Sequence, residues 1–199
     1  QQSVFDIYKD QIEIIVVDDG SSEKFSQNKL NSQINIKYLK INHAGAPTAR
    51  NTGFTKSTGE YIFFCDSDVV FLDRMALEKM IQTLEKNLDK AYVYSGFKYG
   101  IKKMPSFEFN IEKLRHNNYI STMSLIRRDK FPGFDENLKR FQDWDLWLTL
   151  LEKGETGIWI PEILWQAKTR GTMSSWLPTV FYRLFKNAQQ VKDFNQARQ

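Results

Sequence analysis

Residues 61–68 read Tyr61-Ile62-Phe63-Phe64-Cys65-Asp66-Ser67-Asp68, a short apolar run that ends in two carboxylates. An earlier run of the same kind reads Ile14-Ile15-Val16-Val17-Asp18-Asp19-Gly20-Ser21. Short apolar runs that stop at turn-forming residues are typical of buried parallel strands. Ligands bind beyond the carboxyl ends of the strands in an open parallel sheet, so we expect both acidic clusters at one binding edge.

Strands and helices alternate through the first hundred residues. The apolar–polar alternation of residues 34–41 predicts a strand with one wet face, and Ala91–Phe97 predicts another strand. Helices are predicted over Thr48–Lys56 and after Asp73. The second helix has one apolar face, formed by Leu77, Met80, Ile81, Leu84 and Leu88. This alternation predicts an α/β fold with a mostly parallel central sheet flanked by helices.

The second half of the chain is less regular. We expect a strand over Ser121–Arg127, an apolar helix over Trp144–Lys153 and two short strands, Gly157–Ile160 and Ile163–Ala167. Apolar and basic side chains recur at helical spacing after Ser175, which predicts an amphipathic C-terminal helix within residues 176–199. Two roles stay open for that helix, packing onto the domain or peripheral contact with a membrane.

Composition narrows the class of protein. The chain has 199 residues, of which 41% are apolar, enough for one domain with a sizeable core. A net charge of +4 favours phosphate ligands or an anionic membrane surface, but it is too small and too scattered for nucleic acid. Cys65 is the only cysteine, so no intrachain disulfide forms, and its place in an apolar run predicts a buried, packed thiol.

The acidic clusters have both a functional and a plain interpretation. Two carboxylates at positions i and i+2 past a strand end, here Asp66 and Asp68, suit Mg²⁺ or Mn²⁺, although a solvated turn has the same pattern. Asp18 is placed to accept a hydrogen bond from a base or a ribose, or to belong to a capped turn. No G-x-G-x-x-G segment follows an early strand, which excludes the dinucleotide-binding pattern. Asp143 is expected at a helix N-terminus, where the dipole favours the ionised carboxylate and where a simple cap is equally common.

Five segments in order resemble the motifs of the family 2 glycosyltransferases, which adopt the GT-A fold. The segments are Glu13–Ser21, Ala44–Gly53, Gly59–Asp68, Gly133–Glu136 and Gln142–Leu148. They are similar to the first nucleotide motif, the N-x-G-x-x-x-A-R-N-x-G segment, the D-x-D strand, and the G-F-D-E and E-D-W-D-L-W blocks. The resemblance implies transfer of a sugar from a nucleotide-diphosphate-sugar, in particular a UDP-sugar, to a hydroxyl of a glycan or lipid-linked acceptor.

The resemblance also implies roles for single residues. Donor-binding roles fall on Asp18, Asp19, Arg50, Asn51, Asp66, Ser67, Lys168 and Arg170. Asp66 and Asp68 would hold Mn²⁺ or Mg²⁺. Asp143 would be the general base that deprotonates the acceptor hydroxyl, and a single displacement would invert the anomeric configuration.

Two departures from the family pattern stand out. Gln142 replaces the usual Glu of the E-D pair, and nothing before Val4 matches the family's first strand, so we expect the chain to begin within the first helix. On this basis residues 1–98 form the nucleotide-sugar-binding half, residues 99–175 the acceptor-binding half, and residues 176–199 the amphipathic helix. The family suggests polysaccharide or cell-envelope synthesis by a cytoplasmic protein, peripheral to the inner face of the membrane if that helix is interfacial.

Two other functions remain open at this stage. A phospho-receiver domain also uses paired acids at a strand end to bind Mg²⁺, but it leaves the last third of the chain without a role. A domain that binds a nucleotide-sugar without transferring it is the other alternative, since part of the donor pocket would lie in the missing first strand.

Overall fold

The computed structural model describes residues 11–22 and 35–168. The strands of this part are β1 (Glu13–Asp19), β2 (Asn35–Ile41), β3 (Tyr61–Phe63), β4 (Val69–Phe71), β5 (Tyr92–Tyr99), β6 (Lys102–Lys103), β7 (Leu125–Arg127) and β8 (Gly157–Ala167). The helices are α1 (Ala46–Lys56), α2 (Ala76–Glu85), α3 (Ile111–His116) and α4 (Gln142–Glu152), with a short 3₁₀ helix at Arg128–Lys130.

The strands form two sheets. β1 and β2 pair in parallel, and the larger sheet has the order β3-β7-β5-β8-β4, with β6 attached to β5. The two longest strands, β5 and β8, pair in parallel, and β3 runs in their direction. The shorter strands β4, β6 and β7 run the other way. The prediction of an α/β fold with a sheet flanked by helices is confirmed, and its parallel pairings are β1 with β2 and β5 with β8.

One half-buried carboxylate, Glu13, ties the start of β1 to the segment just before β3. Glu13 accepts hydrogen bonds from the backbone N–H groups of Thr58 and Gly59, just before β3, and pairs with Lys37 of β2 at 3.1 Å. Burial alone would raise the pKa of Glu13, but these donors outweigh burial and the pKa falls to about 2. These hydrogen bonds hold the start of β1 next to the residues that precede β3.

Helices cover both faces of the larger sheet. Side chains alternate along β5, so that Tyr92 and Tyr94 pack with Trp144 and Trp147 of α4 on one face. The other face is covered by α2, and its core is formed by Met80, Leu84, Val93, Leu125, Leu164 and Trp165. Both tryptophans of α4 are 0% exposed, so the start of this helix is held rigidly against the sheet.

Four expectations about local structure need correction. The two strands predicted around Pro161 are one strand, β8, because a bulge pairs Ile160 with Ser95 and Ile163 with Gly96 and leaves Pro161 outside the ladder. α2 ends at Glu85, so Leu88 does not belong to its apolar face and is 79% exposed.

The other two corrections concern the ends of strands. β3 stops at Phe63, so Cys65 lies in the following turn, where it is exposed instead of packed in a strand. β7 begins only at Leu125, because the hydroxyl of Ser121 accepts from Met123 N and its carbonyl accepts from the Ser124 hydroxyl, which folds this segment into a turn.

Several expectations fall on residues outside the described ranges. These are the start of the chain before β1 and the amphipathic helix within residues 176–199. The division into residues 1–98, 99–175 and 176–199 therefore stays a prediction. Within residues 11–22 and 35–168, no helix is both long and apolar enough to cross a bilayer.

Candidate active site

The turn after β3 carries the D-x-D carboxylates, of which Asp66 is exposed and Asp68 half-buried. The Asp66 side chain is 46% exposed, and its Oδ1 accepts a hydrogen bond of 2.7 Å from Nη2 of Arg50. Arg50 belongs to α1 and is only 15% exposed, with its guanidinium 5.4 Å from the centre of the Phe134 ring. A half-buried guanidinium beside an exposed carboxylate fixes where that carboxylate lies.

The same guanidinium reaches the start of α4. Nη1 of Arg50 donates to Oε1 of Gln142 at 3.2 Å, and Gln142 is the first residue of that helix. Arg50 thus joins the D-x-D turn to the segment that resembles the E-D-W-D-L-W block. Gln142, which replaces the usual acid, acts here as the hydrogen-bond acceptor, and its own amide donates to Leu138 O at 3.0 Å.

Asp143 lies next to this link, in the first turn of α4. Its Oδ2 accepts a hydrogen bond of 2.9 Å from Nδ2 of Asn118. Burial raises the pKa of Asp143 above its usual value, while the Asn118 hydrogen bond and the charge of Arg50 act in the opposite direction. A partly desolvated carboxylate with a raised pKa is the kind of group that serves as a general base.

Two indole groups hold Asn118 in place. The Nε1–H of Trp144 donates to Leu114 O at 2.6 Å, and the Nε1–H of Trp147 donates to Ile120 O at 2.8 Å. Leu114 and Ile120 flank Asn118 in the sequence. The two tryptophans of α4 therefore fix the loop whose Asn118 donates a hydrogen bond to Asp143. Sequence reasoning missed Asn118, because it lies in an irregular segment without a motif.

The residue that begins α4 has a strained backbone. Phe141 is the N-cap and has φ 60°, which makes it the single non-glycine residue with positive φ in the described ranges. A bulky side chain in the left-handed region is an outlier that persists only where surrounding contacts enforce it. Asp143 is therefore an acid of the first helical turn and not the cap.

Asp18 is engaged by neighbours within the fold. Its Oδ1 accepts from Ser21 N at 2.7 Å, and its Oδ2 accepts from the Tyr38 hydroxyl at 2.5 Å. Tyr38 on β2 and then the Ser21 hydrogen bonds lower the pKa of Asp18 to about 2. Asp18 is 9% exposed and ionised at neutral pH, at the carboxyl end of β1 where the sequence predicted it.

Asp19 holds the loop that leads into α1. It accepts hydrogen bonds from Ala44 N at 2.7 Å and Gly45 N at 2.9 Å, and it pairs with His43. Gly20 makes this approach possible, because its φ is +82° and a Cβ there would lie 2.9 Å from the His43 Cβ.

Asn51 connects two of the predicted segments, Ala44–Gly53 and Gly133–Glu136, through its side-chain amide. Its amide donates to Phe134 O and to Glu136 Oε1, at 2.9 and 2.8 Å, and its carbonyl accepts from Phe134 N at 2.9 Å. Thr48 adds a hydrogen bond of 3.0 Å to Glu136. In the structure these contacts place the Gly133–Glu136 turn against α1, beside Arg50.

Two of the remaining predicted donor residues, Ser67 and Lys168, lie next to Asp68. The backbone N–H of Lys168 donates to Asp68 O at 2.9 Å, which brings the end of β8 to the D-x-D turn. Ser67 and Lys168 are exposed, and Arg170 lies outside the described residues. The carboxylates of Asp66 and Asp68 are hard oxygen ligands that fit Mn²⁺ or Mg²⁺. Within residues 11–22 and 35–168, no three His, Cys, Asp or Glu side chains cluster to hold a metal ion by themselves.

The chain belongs to glycosyltransferase family 2. Residues 2–134 match the family described as Glycosyl transferase family 2. TuaG of Bacillus subtilis strain 168, a glycosyltransferase assigned to teichuronic acid biosynthesis, is 27% identical over 179 residues, which cover 81% of this chain and 69% of TuaG. The phospho-receiver alternative is therefore wrong.

Solved structures confirm the GT-A fold. Residues 1–349 of S. aureus TarS, crystallised with UDP, superpose with a TM-score of 0.68 at 17% identity, covering 96% of this chain and 61% of that one. The mannosyltransferase PcManGT of Pyrobaculum calidifontis, in complex with GDP-Man and Mn²⁺, has a TM-score of 0.62 at 16% identity, with 95% and 55% covered. The chain spans between 24% and 69% of the length of the first curated relatives it matches.

Proposed function

We propose that this domain transfers a sugar from a nucleotide-diphosphate-sugar to an acceptor hydroxyl with inversion, and that Asp143 is the general base. The observation that carries the proposal is the double contact of Arg50, with Asp66 on one side and Gln142 on the other. This contact sets the D-x-D turn and the residue next to Asp143 against one guanidinium. Donor and acceptor chemistry would therefore meet in one cleft.

The proposed reaction is a single displacement. The acceptor oxygen attacks the anomeric carbon from the face opposite the diphosphate and forms the new glycosidic bond. The bond between that carbon and the diphosphate oxygen breaks, and its electron pair leaves with the diphosphate. The hydroxyl proton moves to the Asp143 carboxylate, whose Oδ2 accepts a hydrogen bond from Asn118.

Asp143 must be ionised to accept that proton. Its desolvated surroundings raise its pKa and so strengthen it as a base, whereas Asn118 and Arg50 keep the ionised form populated. Asn118 and Arg50 are thus positioning residues for the base. The side-chain oxygen of Asn118, Oδ1, is buried without a hydrogen-bond partner among the described residues, which is unfavourable. The hydrogen bond from its Nδ2 to the charged Asp143 carboxylate offsets this cost.

The donor would bind across the acidic ends of β1 and β3. Asp66 and Asp68 would hold Mn²⁺ or Mg²⁺ together with diphosphate oxygens, and the cation would neutralise charge on the leaving diphosphate. Lys168, exposed beside Asp68, would supply further positive charge, as would Arg170. Asp18, ionised at the end of β1, would meet the nucleoside. The complexes of TarS with UDP and UDP-GlcNAc support a UDP-sugar donor, and PcManGT supports Mn²⁺.

We infer a glycan or lipid-linked hydroxyl as acceptor, in polysaccharide synthesis for the cell envelope. The likeness to TuaG, which is assigned to teichuronic acid biosynthesis, supports this pathway class.

The test uses the full-length protein, Mn²⁺ and a panel of UDP- and GDP-sugars. We expect release of the nucleoside diphosphate with at least one donor, faster when glycan acceptors are added, and ¹H NMR of the new glycosidic bond should show the anomeric configuration opposite to that of the donor. A product with the donor's configuration would overturn the single displacement. Donor binding without sugar transfer to any acceptor would favour the non-catalytic binding domain instead.

A further inference from the structure

The hairpin of β5 and β6 carries an apolar side chain that no neighbour covers. Its two-residue turn is Gly100–Ile101, with Gly100 at φ 56°, and Ile101 is 98% exposed. An aliphatic side chain is stabilised by leaving water, and this one gains nothing from the fold around it.

Lysines surround this tip without acidic partners. Lys98 on β5 and Lys103 on β6 are direct cross-strand partners, so their side chains lie on the same face. Lys102 is the next residue along β6. None of these three ammonium groups forms an ion pair with any carboxylate in the described ranges. Like charges placed directly opposite destabilise a hairpin, and a negatively charged surface would relieve the repulsion.

The hairpin lies at the rim of the candidate active site. The N–H of Gly100 donates to Ala167 O at 2.9 Å, and Gln166 Nε2 donates to Gly100 O at 2.7 Å. The next residue, Lys168, is exposed and its N–H bonds Asp68 O. The tip, Lys168 and the D-x-D turn therefore follow one another along a single edge.

We propose that the hairpin Lys98–Lys103 docks this domain on an anionic lipid bilayer. Ile101 enters the boundary between headgroups and acyl chains, and Lys98, Lys102 and Lys103 contact lipid phosphates. A soluble polyanion satisfies the lysines but offers no apolar phase to Ile101, so the combination favours a membrane. Docking here turns the rim next to Asp68 toward the bilayer. The inference does not depend on the role of Asp143.

The test is flotation of the full-length protein with vesicles of phosphatidylcholine alone and of phosphatidylcholine mixed with phosphatidylglycerol. We expect binding to the anionic vesicles only, weakened by salt. Lys98→Gln/Lys103→Gln should lower the partition coefficient roughly 20- to 30-fold, since each basic residue near an anionic surface contributes about five-fold. Ile101→Ser should lower it about ten-fold.

Matched controls carry the same changes elsewhere. Lys86→Gln/Lys153→Gln removes the same charge from exposed positions, and Leu88→Ser removes a side chain that is 79% exposed. Both should float like the parent.

Three outcomes would overturn the proposal. The first is equal loss in the control pair, which would mean that net charge alone matters. The second is unchanged flotation of the hairpin variants, which would assign membrane contact to another segment, such as residues 176–199. The third is binding to soluble polyphosphate but not to vesicles, which would make the lysines a site for an anionic polymer.

Discussion

Nδ2 of Asn118 lies 2.9 Å from Oδ2 of Asp143 and joins the loop after α3 to the first turn of α4. The bond stabilises the ionised carboxylate and therefore lowers the pKa of Asp143, against the effect of burial. The pKa of the proposed base is thus tuned by a residue 25 positions away in the sequence.

Removing Asn118 should shift the pH dependence of the reaction. In Asn118→Ala the ionised form of Asp143 loses a donor, its pKa rises further, and the acidic limb of kcat/KM should move to higher pH. Activity lost at pH 6 should recover in part at higher pH. Asn117→Ala, an exposed neighbour, is the control and should keep the parent profile. A proportional loss at every pH would reduce Asn118 to a structural contact.

Arg50 should contribute to catalysis through its positive charge and through the two hydrogen bonds that its planar guanidinium donates. Arg50→Gln removes the charge that helps to lower the pKa of Asp143, so the acidic limb should again move upward. Arg50→Lys keeps the charge but cannot hold Asp66 and Gln142 with one planar group, so kcat/KM should fall about 10- to 100-fold with the limb unmoved. Identical pH profiles for parent and Arg50→Gln would contradict the electrostatic role. Arg74→Lys, at an exposed position, is the control.

Asp68 should be needed for metal-dependent donor binding. Its backbone carbonyl, not its side chain, makes the contact with Lys168, so Asp68→Ala should fold like the parent. Calorimetric titration with UDP should show binding that depends on Mn²⁺ in the parent and in Asp89→Ala, whose carboxylate is 72% exposed. Asp68→Ala should lose it. Equal binding by Asp68→Ala would leave Asp68 as a turn residue only.

Tyr38 should stabilise the fold in a way that depends on pH. Its hydroxyl is the first cause of the lowered pKa of Asp18, which is about 2 instead of the ordinary 3.8. A depressed carboxylate pKa contributes stability above the ordinary value and loses it as pH falls through the lowered one. The difference in Tm between the parent and Tyr38→Phe should be full at pH 6 and should shrink between about pH 4 and pH 2. A difference that does not change over this range would show that the hydroxyl acts on something other than the Asp18 charge.

The sequence was sufficient where a local pattern has one structural solution. Apolar runs that lead into carboxylates become strands, which is why Asp18 could be predicted at the end of β1 and Asp66 just beyond β3. Pairing partners could not be predicted in the same way. β7, only three residues long, comes from the second half of the chain and lies between β3 and β5. Nothing in Leu125–Arg127 states which strands it joins.

In the candidate site, too, residues in local motifs could be predicted, whereas residues placed by tertiary contacts could not. Arg50 and Asn51 lie in a recognisable segment of the sequence. Only the structure shows that the Asn51 amide donates to Phe134 and Glu136, and that Arg50 donates to Gln142. Asn118 has no local signal, because its role depends on where the indoles of α4 hold its loop. Contacts between distant segments, such as Asn118 with Asp143 and Arg50 with Gln142, can be seen only in the tertiary structure.

The most direct test compares Asp143→Asn with Asp145→Asn in the full-length protein. The amide at position 143 keeps the size and the acceptor for Asn118 but cannot take the acceptor's proton. Asp145 is two residues further along the helix, about 200° around its axis, and faces elsewhere. We predict that Asp143→Asn lowers kcat about 10²- to 10⁴-fold with the Kd for the nucleotide-sugar unchanged, while Asp145→Asn stays active. An active Asp143→Asn beside an inactive Asp145→Asn would contradict the assignment of the base.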